Sequence, residues 1–170
     1  PRIPSDPPFE KSLGATPTDV GTCFRVWAPT ARSVEVVIEG DDEGGFALTA
    51  EVDGYHAAFI EGVKAGARYR FRLDGGDAYP DPCSRFQPEG PHGPSMAVDP
   101  RAYAWSDAAW TGIDMHGQVI YELHVGTFTP EGTWRAAAGK LDWLRDVGIT
   151  LVEMMPVNDF AGRFGWGYEV

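Results

Sequence analysis

The sequence contains little cysteine, little positive charge and no long hydrophobic run, and each of these absences excludes a class of protein. Two cysteines, Cys23 and Cys83, are too few for a disulfide scaffold, and their spacing fits no zinc motif. We therefore expect reduced thiols and a cytoplasmic location. Lysine and arginine total 14 against 25 aspartates and glutamates, so the net charge is −11. Because phosphates and anionic lipids both favour basic surfaces, we expect no nucleic acid partner and no membrane partner. No run approaches the ~18–20 apolar residues that a membrane helix needs.

The first hundred residues contain short segments of strand-forming residues separated by turns. β-Branched and aromatic residues concentrate in five runs, at residues 22–27, 33–38, 46–49, 55–60 and 68–73. Glycine-containing turn signals such as Gly44-Gly45 and Asp53-Gly54 lie between them. Short strands at spacings of about 8–12 residues indicate an antiparallel β-sandwich.

The run at residues 68–73 alternates strictly between arginine and another side chain. Since strand side chains alternate between two faces, we expect Tyr69, Phe71 and Leu73 to face the core. The arginines then lie on the opposite face. We interpret that face as solvated or as a contact to another domain, in preference to an anion-binding patch.

Residues 77–100 are rich in proline, which lacks an amide donor and fixes φ. Neither a helix nor a central strand can persist in such a segment. We interpret it as an ordered linker at the end of the first domain. The first domain is then residues 1–105, and a second domain is residues 106–170.

The last third of the chain has a strand–helix–strand pattern. Apolar runs at residues 119–124 and 150–155 flank a segment in which Thr133 can cap a helix and Gly148 can end it. The helical stripe consists of Trp134, Ala137, Leu141, Leu144 and Val147. We expect a βαβ unit with parallel strands, with Trp134 and Trp143 packed against a core. One such unit cannot cover both faces of a parallel sheet, so we expect further chain after Val170.

Residues suited to sugar binding follow the second predicted strand. Trp166 and Tyr168 lie in a glycine-rich loop, and Asp159 precedes them. In βα barrels, the loops at the carboxyl ends of strands form the active site. Aromatic rings stack on the C–H face of a sugar, while polar groups such as Asp159 bind its hydroxyls. His124, near the end of the first strand, is a further hydrogen-bonding candidate. Equally, Trp166 and Tyr168 could simply fill the mouth of a barrel.

Glu122 and Glu153 occupy comparable positions in the two predicted parallel strands. Two carboxylates about 5–5.5 Å apart would suit retaining glycoside hydrolysis. Both lie inside their strands and not at the carboxyl ends, so we favour buried or half-buried structural acids. The histidines show no metal-ligand spacing.

Several motifs resemble those of the α-amylase superfamily. FRVWAP (24–29) resembles the N-terminal β-sandwich of its branching, debranching and trehalose-forming members. YELHVGTFT (121–129) resembles their first barrel strand, and EMMPV (153–157) their second. WGY (166–168) resembles the loop whose tyrosine stacks under the sugar at the cleavage site. DPCSRFQPEGPHGPS (81–95) is more selective and is similar to the linker of maltooligosyltrehalose trehalohydrolases.

The resemblance implies an immunoglobulin-like sandwich followed by the first βαβ unit of a (β/α)8 TIM barrel. It implies a glycoside hydrolase that cleaves the α-1,4 bond next to the terminal trehalose of maltooligosyltrehalose. The mechanism would be retaining, with acids from later strands, so no catalytic residue, metal or cofactor is expected in this sequence. The expected partners are the maltooligosyltrehalose or α-1,4-glucan substrate and the remainder of the same polypeptide.

The resemblance also transfers binding roles to individual residues. Tyr168 is carried over as the stacking platform, with Trp166 beside it and with Asp159 and His124 in the cleft wall. The family usually continues with Asp and Gly after this tyrosine, whereas Glu169-Val170 follows here.

Two other functions fit the same residues. The sandwich could be a non-catalytic glucan-binding module, in which case exposed rings around Trp27, Tyr55 and Tyr69 are expected. Alternatively, the same fold could come from a glycogen branching or debranching enzyme.

Overall fold

The computed structural model describes residues 12–40, 44–158, 160–162 and 165. The chain divides into two units, Pro1–Ala104 and Trp105–Val170, of which the first is built from β-strands and the second from both strands and helices.

Two antiparallel sheets form the first unit. One sheet has the order β1-β2-β6-β5, and the other has the order β4-β3-β7-β8, with β9 also pairing with β7. The strands are β1 Gly14–Pro17, β2 Gly21–Trp27, β3 Val34–Ile38, β4 Phe46–Ala47, β5 Thr49–Ala50, β6 Tyr55–Glu61, β7 Arg68–Leu73, β8 Ala78–Tyr79 and β9 Ser95–Met96. Short 3-10 turns lie at Val52–Gly54 and Pro100–Ala102.

The core of the first unit lies between these sheets. Phe24 of β2 is fully buried, and its ring meets Tyr69 of β7 edge-on with ring centroids 4.9 Å apart. Tyr69 and Phe71 face inward as predicted, but Leu73 is 38% exposed and that prediction is wrong. The strand ends at Leu73, and the next residue, Asp74, turns the chain with a φ of 52°.

The arginines of β7 lie on the outer face, where their partners belong to the same unit. Arg72 Nη1 is 3.2 Å from a Glu35 carboxylate oxygen on the neighbouring strand. Arg68 pairs with Glu39 and Glu89. These ion pairs are half-exposed, so each contributes little to stability.

A single predicted strand at residues 46–49 is two strands in the structure. β4 pairs with β3 in one sheet and β5 pairs with β6 in the other. Leu48 lies between them, is 8% exposed, and donates its N–H to the Val34 carbonyl at 2.8 Å. The chain therefore crosses from one sheet to the other at Leu48, whose side chain fills the core.

The proline-rich segment is part of the sandwich and does not merely link two units. β8 and β9 pair with opposite ends of β7. Asp81, which follows β8, is 3% exposed and accepts a hydrogen bond of 2.5 Å from the Tyr69 hydroxyl. The Asp81 N–H donates to Ser95 Oγ at 2.9 Å. Two-residue edge strands tolerate flanking prolines because only one side of an edge strand is hydrogen-bonded.

The second unit has a parallel strand pair connected through helices. β10 Ile120–Leu123 pairs in parallel with β11 Leu151–Met154. Between them lie α1 Val125–Phe128, α2 Trp134–Ala138 and α3 Leu141–Asp146. One helix was expected where α2 and α3 are found, and the break falls at Gly139-Lys140.

The predicted ends of this helical segment are confirmed. The Thr133 hydroxyl accepts a 3.3 Å hydrogen bond from the Ala136 N–H, and Gly148 has a φ of +96° after α3. Ala137 and Leu144 are buried, whereas Trp134 and Trp143 are 52% and 56% exposed. The expected packing of both tryptophans is therefore not found within the described residues.

Candidate functional site

The candidate site lies at the carboxyl ends of β10 and β11. His124 directly follows β10, and its Nε2 lies 3.0 Å from the backbone oxygen of Gly165, in the segment after β11. A carbonyl can only accept, so Nε2 carries the proton. The structure thus joins His124 to the segment that also carries the predicted sugar-binding residues.

Two glycines allow this arrangement by admitting rings close to the backbone. A Cβ on Gly126 would lie 2.9 Å from Cε1 of His124. A Cβ on Gly165 would lie 2.7 Å from the ring of Phe160. An added Cβ at either position would force the neighbouring ring to move, so the two glycines let both rings keep these positions.

An open cavity of about 600 Å³ adjoins His124. Its lining combines aromatic rings with a carboxylate, an ammonium and a hydroxyl. The lining residues are Tyr121, Glu122, Leu123, His124, Thr127, Phe128, Lys140 and Trp143. Lys140 and Trp143 were not among the predicted site residues, although their spacing of three residues around the start of α3 places them on one side of the helix.

Glu122 and Glu153 are direct register partners on the two parallel strands. Their side chains therefore project from the same face, and both are exposed in the described chain. Within the described residues they are therefore neither buried nor half-buried. Neither residue lies at the carboxyl end of its strand, where barrel catalysis occurs.

The other predicted sugar-binding residues, Tyr168, Trp166 and Asp159, lie outside the described residues. They stay predictions. Among the described residues no cluster of three or more His, Cys, Asp or Glu side chains could hold a metal ion. Cys23 is buried and Cys83 is exposed, and both are free thiols. Burial is the main reason that the pKa of the Cys23 thiol is raised, which keeps it protonated and inert.

A second polar and aromatic surface lies on the outer face of the β1-β2-β6-β5 sheet. Trp27 and Tyr55 are register partners, and Trp27 is 56% exposed. The Trp27 Nε1–H donates to the Asp53 carbonyl at 3.0 Å. Arg25 lies 4.4 Å from the Tyr55 ring centroid and 2.7 Å from a Glu51 carboxylate oxygen. Tyr69, the third ring considered above, is buried and takes no part in this surface.

Comparison with known families explains the first unit. Residues 12–102 match the family described as carbohydrate-binding module 48, the isoamylase N-terminal domain. The chain belongs to this family. The carbohydrate-binding module 48 match covers the nine strands found in the described part of the sandwich and the 3-10 turn that follows them.

Comparison with individual proteins covers both units. A malto-oligosyltrehalose trehalohydrolase from Deinococcus radiodurans is 46% identical over 159 residues, which is 92% of this chain and 26% of that protein. A 1,4-alpha-glucan branching enzyme from Nocardia farcinica is 34% identical over 88% of this chain and 22% of that protein. The chain thus spans about a quarter of the length of such relatives, and the expected resemblance to trehalohydrolases is confirmed.

A solved structure gives the same picture. A provisionally assigned α-amylase from Salmonella typhimurium superposes with a TM-score of 0.85 at 42% identity, over 93% of this chain and 27% of that one. No helix in the described part of the chain is long and apolar enough to cross a membrane.

Proposed function

We propose that this chain is the N-terminal part of a maltooligosyltrehalose trehalohydrolase. The whole enzyme would hydrolyse the α-1,4-glucosidic bond next to the terminal trehalose of its substrate and release trehalose. The observation that carries this proposal is the 46% identity to the Deinococcus radiodurans trehalohydrolase, against 34% to the branching enzyme, over most of the chain in both cases. The segment at residues 81–95 also supports it, because it resembles the linker of trehalohydrolases. This segment begins with the buried Asp81 and ends at Ser95, the first residue of β9.

The second unit would be the first βαβ unit of a (β/α)8 barrel, with the domain boundary close to residue 105. This placement is supported by the parallel pairing of β10 with β11 and by the helices between them. Large apolar side chains of this unit are exposed, among them Ile120, Tyr121, Leu141, Trp143 and Met154. Parallel sheets need both faces covered, and the remaining βα repeats of the same polypeptide would cover these side chains.

The chemistry would follow the retaining route. One carboxylate attacks the anomeric carbon, a second protonates the leaving oxygen, and water then releases the sugar from the enzyme. Those acids would lie on later strands, outside residues 1–170. In this part of the enzyme, Tyr168 would stack under the reacting glucose, with Trp166 beside it and Asp159 in the cleft wall.

Product analysis tests the proposal. Incubated with maltooligosyltrehalose, the full-length protein should release free trehalose, measured by chromatography. The 170-residue chain alone should release none, because the reacting carboxylates are expected on later strands. Branched or linearised glucan from the full-length protein would instead identify a branching or debranching enzyme. Trehalose release by the 170-residue chain would contradict the placement of the acids.

A second function, glucan binding by the sandwich itself, is favoured by the surface around Trp27. Trp27 is exposed and held by its bond to the Asp53 carbonyl, so an aromatic face is presented with little loss of side-chain freedom on binding. Arg25 and Glu51 supply charged hydrogen-bonding groups next to the Tyr55 ring. Together they offer the stacking face and the polar groups that a glucose unit needs.

Retardation of the chain in an amylopectin gel measures this binding. Trp27→Ala should abolish the retardation, because the stacking face is lost. Tyr79→Ala is the matched control, since Tyr79 is equally exposed, at 56%, but belongs to the other sheet. If the Tyr79→Ala and Trp27→Ala chains migrate alike, the Trp27 surface does not bind glucan.

A further inference from the structure

We infer that His124 is a positioning residue, which holds the backbone before the predicted sugar platform, and not a direct ligand of the sugar. The inference rests on the proposed function for the role of Tyr168. It rests on the structure for the contact between His124 and Gly165.

The contact with Gly165 occupies one of the two ring nitrogens of His124. Nε2 of His124 donates to the Gly165 carbonyl at 3.0 Å and is therefore engaged with protein before any sugar arrives. On the other side of the ring, Nδ1 is 3.5 Å from Thr127 Oγ1.

The ring itself is fixed by its surroundings. His124 stands at the N-terminal boundary of α1 with extended backbone dihedrals. Its Cε1 lies so close to Gly126 that a Cβ there would be only 2.9 Å away. The ring is thus seated over Gly126, and a larger residue at 126 would displace it from Gly165.

Gly165 is held from a second direction. The ring of Phe160 lies against it, leaving no room for a side chain. Gly165 immediately precedes Trp166 and is three residues from Tyr168. Three residues span at most about 10 Å even when extended, so Gly165 is close along the chain to the predicted platform.

The carboxyl ends of β10 and β11 therefore contribute different groups to this arrangement. The first strand supplies the donor at His124, and the segment after the second strand supplies the acceptor at Gly165 together with the predicted platform. Loss of the bond would keep Tyr168 in the chain, but the sugar stacked on it would be less well placed for attack by the catalytic carboxylate. Misplacement by about 1 Å can lower catalytic rates about a hundredfold.

Hydrogen exchange and kinetics of the full-length protein test this role. In His124→Ala without substrate, peptides covering residues 160–170 should exchange faster than in the wild type. The kcat for trehalose release should fall by about tenfold to a hundredfold, with a smaller change in KM. His124→Gln keeps a donor of similar reach and should restore much of both. His116→Ala, which truncates an exposed histidine of the same unit, is the matched control and should change neither.

Gly126→Ala provides an independent variant, since it keeps the histidine but moves its imidazole ring away from Gly165. It should accelerate exchange in the same peptides. Unchanged exchange at residues 160–170 in both His124→Ala and Gly126→Ala would overturn the positioning role. A wild-type protein that releases no trehalose, yet shows the exchange effect, would refute the proposed function and leave the contact between His124 and Gly165 established.

Discussion

Replacing Asp81 with alanine should destabilise the sandwich by about 2–4 kcal/mol, because the buried Tyr69 hydroxyl and the Cys83 N–H lose their acceptor. The Asp81 carboxylate accepts the Tyr69 hydroxyl at 2.5 Å and the Cys83 N–H at 2.8 Å. Tyr69 is 1% exposed, so water cannot replace the lost acceptor at its hydroxyl. Hydrogen exchange at increasing urea, measured on peptides from β2 and β6, reports the free energy of unfolding of this unit alone.

Two further variants separate the parts of this network. Tyr69→Phe removes one donor and leaves the Cys83 N–H bonded, so a smaller loss of about 1–3 kcal/mol is expected. Asp77→Ala is the control, because Asp77 is an exposed aspartate in the same proline-rich segment. It should change stability by less than about 0.5 kcal/mol. Equal effects of Asp77→Ala and Asp81→Ala would show that the buried network contributes nothing specific.

The Asp81 network also predicts a pH dependence. Burial raises the pKa of the Asp81 carboxyl, while the bonds from Tyr69 and from the Cys83 N–H oppose this rise. A carboxyl with a raised pKa binds its proton more tightly in the folded state. Its contribution to stability is fully present below the unfolded pKa, about 3.9, and is lost as pH rises through the folded pKa. The stability of the wild type relative to Asp81→Asn should therefore increase as pH falls from neutral. A difference that is constant or that shrinks in acid would contradict the raised pKa.

Gly54→Ala should cost more than about 3 kcal/mol, because it combines backbone strain with a collision. Gly54 has a φ of +81°, and a Cβ there would lie 2.6 Å from Cα of Pro29. The Gly54 carbonyl also accepts the Ala28 N–H at 2.9 Å, so movement away from Pro29 would break that bond. The same urea-dependent exchange of β2 and β6 peptides measures the loss.

Gly62→Ala is a closely matched control for this substitution. Gly62 has the same φ of +81°, but nothing lies within 4 Å of a Cβ added there. It should show the strain alone, about 1–2 kcal/mol. The difference between the two variants isolates the collision with Pro29. If both variants lose the same free energy of unfolding, the close packing of the turn on Pro29 contributes nothing to stability.

The strands of the sandwich were predictable where alternation and turn residues agreed. β2, β3, β6 and β7 are found close to their predicted bounds, because each pairs over its length with a long partner. β1 was missed because Gly14 and Pro17 are poor strand formers, and its pairing with β2 outweighs that preference. The crossing at Leu48 could not be predicted, since a local pattern does not say to which sheet a strand belongs.

The proline-rich segment and the helices were predicted less well for a similar reason. Proline content excludes helix but not a two-residue edge strand, and only the position of β7 decides that β8 and β9 form. The apolar stripe from Trp134 to Val147 resembles one helix, yet Gly139 separates two. Of the site, the place of His124 at a strand end was predictable, whereas its bond to Gly165 depends on the tertiary structure.

The attachment of β8 and β9 to β7 determines how this carbohydrate-binding module can be moved between enzymes. A chimaera that joins the module to another barrel at residue 77 would leave β7 with an unpaired edge and Tyr69 without its acceptor. Such an edge can pair with a neighbouring chain and cause aggregation. Exchange of this module among glucan-processing enzymes, whether in the laboratory or during evolution, therefore has to carry its proline-rich segment with it.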